Sequence, residues 1–313
     1  MFLGKAAIDY LAVEVSKEDS GESSHWKKCH SSFKFTGEGF EGLEGFGRNQ
    51  KPYRGLRLLL HRLFQSRFRR MGAEFSKFKL IDKLAKEITI RQGRAYDIDV
   101  LRQTLTLSFL NNLVPKALSS QETVCVIGDG YASMTSLVLA SSSAGRVVLV
   151  NLKKTMLVDL WYLKLWMGEE VFDSNVVLVT DEAGLASALA KPIPEGGQVI
   201  AIQAEDHELL RLCPVGLTLN IASMQEMNPP IIKAYFDDMR AIASNQQLIF
   251  YCCNREEKIL PDGTVTKFNE YPWRANDQIL IDELCPWHQR YYSFIPPFYR
   301  PFDGSIRHRL VTL

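Results

Sequence analysis

A pair of glycines around an aspartate, Gly128-Asp129-Gly130, directly follows the apolar run TVCVI. Glycine lets the backbone turn tightly and lets a bulky ligand approach without meeting a Cβ atom. Such a turn between a buried strand and a helix is suited to a nucleotide-type ligand. The full dinucleotide-binding pattern has a third glycine where this chain has Ser133, so the spacing argues against a nicotinamide dinucleotide.

A second candidate, Asn151, ends the next apolar run, RVVLVN. A group that binds ribose hydroxyls, commonly Asp or Glu, is expected roughly 20 residues after the glycines. The amide oxygen of Asn151 can accept a hydrogen bond from a ribose hydroxyl, although less strongly than a carboxylate. The alternative interpretation is an asparagine that merely ends a strand and starts a turn.

Alternating strands and helices are needed to bring these residues together. Between residues 123 and 254 the sequence has short apolar runs separated by helical segments at 155–167, 182–190 and 229–243. This alternation predicts an α/β fold with a doubly wound, mostly parallel sheet, in which ligands bind at the carboxyl ends of the strands. The runs are TVCVIG, RVVLVN, NVVLVT, QVIAIQ, LTLNIA and QLIFYCCN, and SIRHRLVTL at the C-terminus is predicted to be an antiparallel edge strand.

Composition narrows the function class only a little. The chain has 313 residues, a formal net charge of +1 and 46% hydrophobic residues, so its overall charge indicates no nucleic-acid partner. Its six cysteines show no CxxC spacing, which predicts buried free thiols in a reducing compartment and no metal site. The N-terminus lacks the pattern of a signal peptide, and no apolar stretch is long enough to span a bilayer. We therefore expect a cytoplasmic protein.

Residues 1–95 are predicted to form an N-terminal extension, and residues 96–313 the main domain. Residues 37–50 are rich in glycine and predict a partly flexible loop, whereas 77–118 has a helical pattern. Residues 53–72 predict an amphipathic helix, and no acidic residue occurs between Arg48 and Arg70. One interpretation is peripheral contact of residues 48–70 with an anionic surface; the other is a helix packed on the main domain with its arginines in solvent.

From about Asp99 onward the chain resembles a sugar O-methyltransferase family, a branch of the class I S-adenosylmethionine (SAM)-dependent enzymes. The resemblance rests on VCVIGDGYASM, LTLNIASMQEMNPPIIKAYFDDMR, LIFYCCNREEK and the closing segments YPW and DGSIRHRL. It implies a seven-stranded Rossmann-like sheet with SAM across the ends of the first strands. It covers most of the chain after residue 95 and none of the preceding residues.

Carried over by position, the resemblance implies a cofactor site of seven residues. Asn151 would meet the ribose hydroxyls, and the end of the third strand would border adenine. Two strands compete for that place, QVIAIQ with Gln203 and NVVLVT with Asp181. The implied cofactor-binding residues are Gly128, Asp129, Gly130, Tyr131, Asn151, Gln203 and Ser223. Asn151 departs from the acidic residue common in class I enzymes.

Methyl transfer to a sugar hydroxyl needs the acceptor oxygen aligned with the methyl group and relieved of its proton. Glu226, just beyond the fourth strand, is the predicted general base, although Ser223 and Glu226 also match a helix capping box. His308 is the second catalytic candidate, and His288 follows it. Since no cluster of metal-binding carboxylates is evident, a metal-free mechanism is expected. The predicted substrate-binding residues are Gln225, Asn254, Arg255, Tyr271 and Trp273.

Other functions remain open at this level. A scaffold protein with a degenerate cofactor site would explain Asn151, and a methyltransferase with a peptide or lipid acceptor would explain the aromatic C-terminal segment. A nicotinamide-dependent enzyme is disfavoured by Ser133. The expected partners are a small-molecule or glycan substrate, with a homodimer as a further option. Residues 1–95 could cap the active site, form a dimer interface or hold the basic helix against an anionic partner.

Overall fold

A computed structural model describes residues 1–17, 19, 21–46 and 51–313. Asp97 caps one helix by accepting the backbone N–H groups of Asp99 and Val100, and Pro229 starts another at a position that needs no amide donor. The described residues form the α-helices α1 Gly4–Glu14, α2 Ser24–Cys29, α3 Gly55–Met71, α4 Phe78–Arg91, α5 Ile98–Leu113, α6 Ser133–Ala140, α7 Lys153–Met167, α8 Glu169–Asn175, α9 Glu182–Ala190 and α10 Pro229–Ala243.

The strands of these described ranges are β1 Phe2–Leu3, β2 Lys34–Phe35, β3 Phe40–Glu41, β4 Thr123–Ile127, β5 Arg146–Asn151, β6 Val176–Val179, β7 Gln198–Gln203, β8 Leu217–Ile221, β9 Ile249–Arg255, β10 Glu257–Ile259, β11 Val265–Lys267, β12 Gln278–Leu284, β13 Arg290–Tyr292, β14 Tyr299–Pro301 and β15 Ile306–Thr312. Nine of them form one sheet in the order β1-β6-β7-β5-β4-β8-β9-β15-β12. The six strands from β6 to β9 in that order are parallel, whereas β15 runs antiparallel to β9.

The α/β doubly wound sheet is confirmed, but its size differs from the prediction. All seven predicted strands lie in the sheet, and β1 and β12 add two more. The C-terminal strand β15 is therefore not the edge, because β12 pairs along its outer side. In β12 six of the seven residues are exposed, so this strand lacks the apolar run by which buried strands are recognised in a sequence.

Helices cover the sheet on both faces. Val124 and Val126 of β4 belong to one apolar cluster, and Cys125 and Ile127 to the other, as the two-residue period of a strand requires. All six cysteines are free and buried, which confirms the predicted thiols. Each helix of the described residues falls short of the length and hydrophobicity needed to cross a membrane.

The first 95 residues share the core of the main domain. Leu11 of α1, Phe68 of α3 and Ile81 of α4 lie in the same apolar cluster as β4. In addition, β1 pairs antiparallel with β6 through Phe2 and Leu3. The predicted boundary near residue 95 consequently separates two stretches of sequence but not two cores.

Helix α3 has an unexpected orientation. His61, Gln65 and Phe68 face the protein, whereas leucines at 56, 59 and 63 are exposed. His61 bonds Tyr292 Oη at 2.6 Å, and Gln65 donates to the backbone oxygen of Tyr96 at 3.0 Å. Hydrogen bonds therefore hold the inner face of α3, and the leucine stripe points to solvent. Residues 48–50 of the predicted basic segment lie outside the described residues.

Candidate functional site

A cleft of about 330 Å³ lies at the carboxyl ends of β4, β5 and β8. From β4 the sheet continues to β5 and β7 on one side and to β8 and β9 on the other. A doubly wound sheet opens a crevice where its connections diverge in this way, and such crevices bind ligands. The volume is in the usual range for a small-molecule site.

The loop after β4 forms the floor of the cleft, and its backbone is largely left-handed. Gly128, Gly130, Tyr131 and Ala132 have φ values of +72°, +68°, +59° and +48°. Tyrosine and alanine rarely adopt this conformation, and such strained residues cluster at functional sites. The first three of these residues line the cleft together with Asp129, so the predicted loop does border it.

The two glycines have different roles. A Cβ atom on Gly128 would lie 1.9 Å from Ser223 Oγ, so only glycine lets the loop after β8 approach this closely. A Cβ atom on Gly130 would meet no described atom nearer than Phe46 Cδ1, at 3.6 Å. Gly128 therefore joins two loops, whereas Gly130 leaves bare backbone beneath an aromatic ring.

The buried Asp129 side chain caps the N-terminus of α6. It accepts the backbone N–H groups of Met134 at 2.8 Å and Thr135 at 2.7 Å. These are the donors that bind a phosphate in dinucleotide-binding folds. Burial raises the pKa of Asp129. A negatively charged pyrophosphate would meet a buried carboxyl group here in place of these two donors.

Behind Asn151 lies an acidic residue that our sequence analysis missed. Asp159 of α7 is fully buried; it accepts the Ala132 N–H and the Asn151 side-chain N–H, both at 2.8 Å. Burial, with Asp129 as a further cause, raises the pKa of Asp159 well above its usual range. The signal in the sequence was a lone acid within the apolar helix KKTMLVDLWYLKLWM.

Asn151 itself lines the cleft, but much of its amide is already bonded. Its oxygen accepts the Leu152 N–H at 3.0 Å, and one of its N–H groups bonds Asp159. The remaining N–H group is a donor, and the oxygen has one lone pair beyond the bond to Leu152. The predicted ribose contact stays a prediction.

Of the two third-strand candidates, β7 with Gln203 lies nearer to the cleft than β6 with Asp181. Strand β7 lies next to β5, with Gln203 opposite Asn151, whereas β6 is one strand further out. Asp181 after β6 caps α9 by accepting the Gly184 N–H at 2.6 Å. Ala204 lines the cleft, and the Gln203 side chain is buried with no described partner for its oxygen.

Glu226 lines the cleft in an ion pair. Its Oε1 lies 2.6 Å from Lys258 Nζ and 3.5 Å from His25 Nε2. The alternative capping box does not form, because residues 224–226 make a separate 3₁₀ turn and the Ser223 side chain caps no helix. The carboxylate is thus available to the cleft, although Lys258 competes for it.

Gln225 and Asn254 fasten the loops after β8 and β9 to each other. Gln225 Oε1 accepts the Arg255 backbone N–H at 2.8 Å. The Gln225 backbone N–H donates to Asn254 Oδ1 at 3.1 Å. Asn254 is fully buried and also donates to Asn220 Oδ1 at 2.8 Å. The Asn254 side-chain amide therefore holds the two loops together. Gln225 and Arg255, in contrast, line the cleft.

The structure does not place the predicted aromatic candidates or His308 at the cleft. Tyr271 is a core residue, and Trp273 donates to Phe268 O at 2.8 Å with the Arg309 guanidinium 4.5 Å from its ring. His308 is fully buried in β15, with Nδ1 3.1 Å from Tyr251 Oη, and burial lowers its pKa. Their residue types predicted sugar stacking and catalysis, but in the structure these side chains pack inside the protein.

An N-terminal segment that we call the cap, Asp19 and residues 21–46, supplies a wall of the cleft. Trp26 and Phe46 line it, and their ring centroids are 5.3 Å apart. The Ser23 hydroxyl donates to Glu226 O at 2.5 Å, and Asp19 accepts the Lys153 N–H at 2.8 Å. Of the alternatives for residues 1–95, the structure therefore favours covering the site.

Two further arginines, besides Arg255, border the cleft. Arg94 lies with its guanidinium 3.8 Å from the centroid of the Tyr131 ring and donates to Ser133 Oγ at 3.2 Å. Arg102 donates to the backbone oxygens of Trp287 at 3.2 Å and Arg290 at 2.8 Å. Arg94 was missed by our sequence analysis; it sits above the strained loop, whereas Arg102 mainly anchors the C-terminal segment.

One group of possible metal ligands comes together within the described ranges. Ligand atoms of Cys253, Cys285 and His288 lie within 4.8 Å of one another, and all three residues are buried. Burial and the neighbouring Cys253 raise the pKa of Cys285 well above its usual range, and burial lowers that of His288. His288 also lines the cleft.

No family model and no curated protein matches the sequence. Solved structures resemble the chain at low identity. A SAM-dependent methyltransferase from Leishmania major shares 11% identity with a TM-score of 0.37, covering 68% of this chain and 72% of that one. Magnesium protoporphyrin IX methyltransferase from Synechocystis with bound SAH shares 13% with a TM-score of 0.36, covering 82% and 98%. At these values the resemblance carries no functional argument.

Proposed function

We propose that the protein is a SAM-dependent methyltransferase that acts on a hydroxyl group of a sugar or glycosylated molecule. The observation that supports it most is the floor of the cleft. Gly130 presents bare backbone there, while Asp129 occupies the helix donors that a pyrophosphate would need. The site thus suits a nucleoside ligand without phosphate groups, and S-adenosylmethionine is such a ligand.

The polar groups around the cleft agree with this ligand. The buried carboxyl groups of Asp129 and Asp159 lie beneath the loop and fix its backbone by accepting the N–H groups of Met134 and Ala132. Arg94 supplies a buried guanidinium beside Tyr131, and we assign it to the cofactor's carboxylate. When bound, the cofactor supplies an electrophilic methyl group; the protein has to position the acceptor and take its proton.

We assign the proton transfer to Glu226. With the cofactor bound to supply the methyl group to the acceptor oxygen, Glu226 Oε would take the proton of that hydroxyl group. Lys258, 2.6 Å away, orients the carboxylate and offsets its charge. A general base of this kind contributes about 10²–10⁴-fold to the rate. The displacement is proposed to be metal-free, so EDTA should leave turnover unchanged.

The sugar acceptor is proposed from the outer wall of the cleft, together with the resemblance of the SMQEM block. Trp26, Phe46 and Phe302 offer apolar faces for a sugar ring. Arg255 lies over the Phe302 ring at 5.2 Å and bonds Asp303 at 2.9 Å. Aromatic faces beside a charged pair fit a molecule that has both ring carbons and hydroxyl groups.

Calorimetry tests the cofactor assignment. S-adenosylhomocysteine and S-adenosylmethionine should bind with micromolar affinity, whereas NAD and ATP should bind at least about a hundredfold more weakly, because their phosphates meet Asp129. Binding of NAD in preference to S-adenosylhomocysteine would overturn the proposal.

Turnover then tests the reaction. Transfer of radiolabelled methyl from S-adenosylmethionine is measured on a panel of methyl glycosides and nucleotide sugars. In Glu226→Gln the rate should fall about 10²–10⁴-fold with S-adenosylhomocysteine binding intact. Glu257→Gln, at an exposed carboxylate on β10, is the matched control and should leave the rate unchanged. Cofactor binding without transfer to any acceptor would instead favour the scaffold protein left open by the sequence.

A further inference from the structure

The outer face of α3 is apolar. Leu56, Leu59 and Leu63 are 72%, 60% and 63% exposed, and Leu60 is 36% exposed. Leucine stripes on the helices of a soluble protein normally face its core. Here hydrogen-bonded His61 and Gln65 occupy the inner face instead, so the stripe is directed outward by the way the helix is anchored.

A loop from the other end of the chain extends this face. Phe294, Ile295 and Phe298 are 42%, 70% and 46% exposed. The two phenylalanines contact Phe64 of α3, with ring centroids 5.5 and 5.3 Å apart, and Tyr299 Oη donates to Phe64 O at 2.9 Å. Two segments that are distant in sequence therefore build one exposed apolar surface, which we call the leucine face: residues 56, 59, 60, 63, 294, 295 and 298.

The surroundings of the leucine face are cationic. The sequence from 51 to 73 contains no aspartate or glutamate. Five arginines of this stretch are exposed, at 54, 57, 62, 67 and 70. An exposed apolar stripe flanked by arginines is the arrangement of helices that lie in the interface of an anionic bilayer.

We propose that the leucine face binds the surface of an anionic lipid bilayer, with α3 parallel to the membrane plane. The leucines, Phe294, Ile295 and Phe298 enter the boundary between headgroups and acyl chains, and the arginines contact lipid phosphates. The charge pattern favours a bilayer over a second copy of the chain. A two-fold interface would set the arginines of one α3 against those of the other, with no acid on either helix to pair with them.

Vesicle sedimentation tests the proposal on the full chain and independently of methyl transfer. We expect binding to vesicles of phosphatidylcholine with phosphatidylglycerol, and at least about tenfold weaker binding to phosphatidylcholine alone. Salt should weaken the binding, because it screens the arginines. In Leu59→Glu/Leu63→Glu the affinity should fall at least about tenfold, since two apolar contacts are lost and two like charges meet the lipid.

The matched control is Val13→Glu/Leu212→Glu, at side chains that are 67% and 53% exposed on other elements. It should bind anionic vesicles as the wild type does. The proposal is overturned if the wild type does not bind anionic vesicles at low salt, or if both double variants bind equally. A dimer that dissociates in Leu59→Glu/Leu63→Glu would overturn it by assigning the face to a second copy.

Discussion

Two regions of the molecule contain the residue types expected of an active site, and only one of them is built as a cleft. At the ends of β4, β5 and β8, left-handed backbone, buried acids and unfilled space occur together. Tyr271 and Trp273 pack against each other, and Trp273 also packs against Arg309, whereas His308 packs against Tyr251 and Trp287 of the other apolar cluster. A binding site is therefore marked by backbone that stays uncovered, whereas aromatic and histidine side chains also serve as core.

The largest expected effect comes from Gly128→Ala. Its Cβ atom would overlap Ser223 Oγ at 1.9 Å, in a backbone conformation that disfavours alanine. We expect loss of S-adenosylhomocysteine binding by at least about a hundredfold in calorimetry. The double variant Gly128→Ala/Ser223→Gly should recover part of the affinity. Gly263→Ala, with a φ of +88° and no atom within 4 Å, is the control for backbone strain alone and should bind normally.

Asp159→Leu should have the next largest effect. It removes the acceptor of the Ala132 and Asn151 N–H groups, and each buried donor left without a partner costs about 1–3 kcal/mol. Urea unfolding should show a free energy of unfolding lower by about 2–6 kcal/mol, together with weaker S-adenosylhomocysteine binding. Unchanged ligand affinity would show that Asp159 does not support ligand binding in the cleft.

The stability of the protein should also depend on pH through Asp97, which caps α5. Burial, with Asp99 as a further cause, raises the pKa of Asp97 to about 6 from an ordinary 3.8. Between these values the native state holds a proton that the unfolded state has lost, so stability falls as pH rises through this window and is level above it. Asp97→Asn keeps a good helix cap and should remove this slope, on the order of 2 kcal/mol, in urea unfolding at pH 4.5 and 7. An unaltered slope would contradict the assignment.

The smallest effect is expected in the aromatic region. Trp273→Phe loses the hydrogen bond to Phe268 O and should lower the free energy of unfolding by about 1 kcal/mol. S-adenosylhomocysteine affinity should stay at the wild-type value. A loss of affinity in this variant would erase the distinction between the two regions.

Most of the sheet could be predicted from sequence, because buried parallel strands are continuous apolar runs. Strand β12 could not, since its exposed edge carries mixed residues, and β1 is only two residues long. The glycine loop was predictable from its position after β4. Asp159 and Arg94 were not, because their roles depend on contacts with residues 27 and 39 positions away in the chain.

The orientation of α3 shows the same limit. Periodicity locates an apolar stripe but does not say which side of the helix meets the protein. His61 and Gln65 decide that here, through hydrogen bonds to Tyr292 and to the Tyr96 backbone. Neither partner is close in sequence, so the outward stripe could be recognised only in the structure.

The cap has a consequence for the timing of any reaction in the cleft. Ser23 bonds Glu226, Asp19 bonds Lys153, and Phe46 lies over Tyr131 with their ring centroids 5.5 Å apart. We expect such contacts to break when a molecule leaves past this wall. We therefore expect the residence time of a spent ligand to depend on how often the cap detaches.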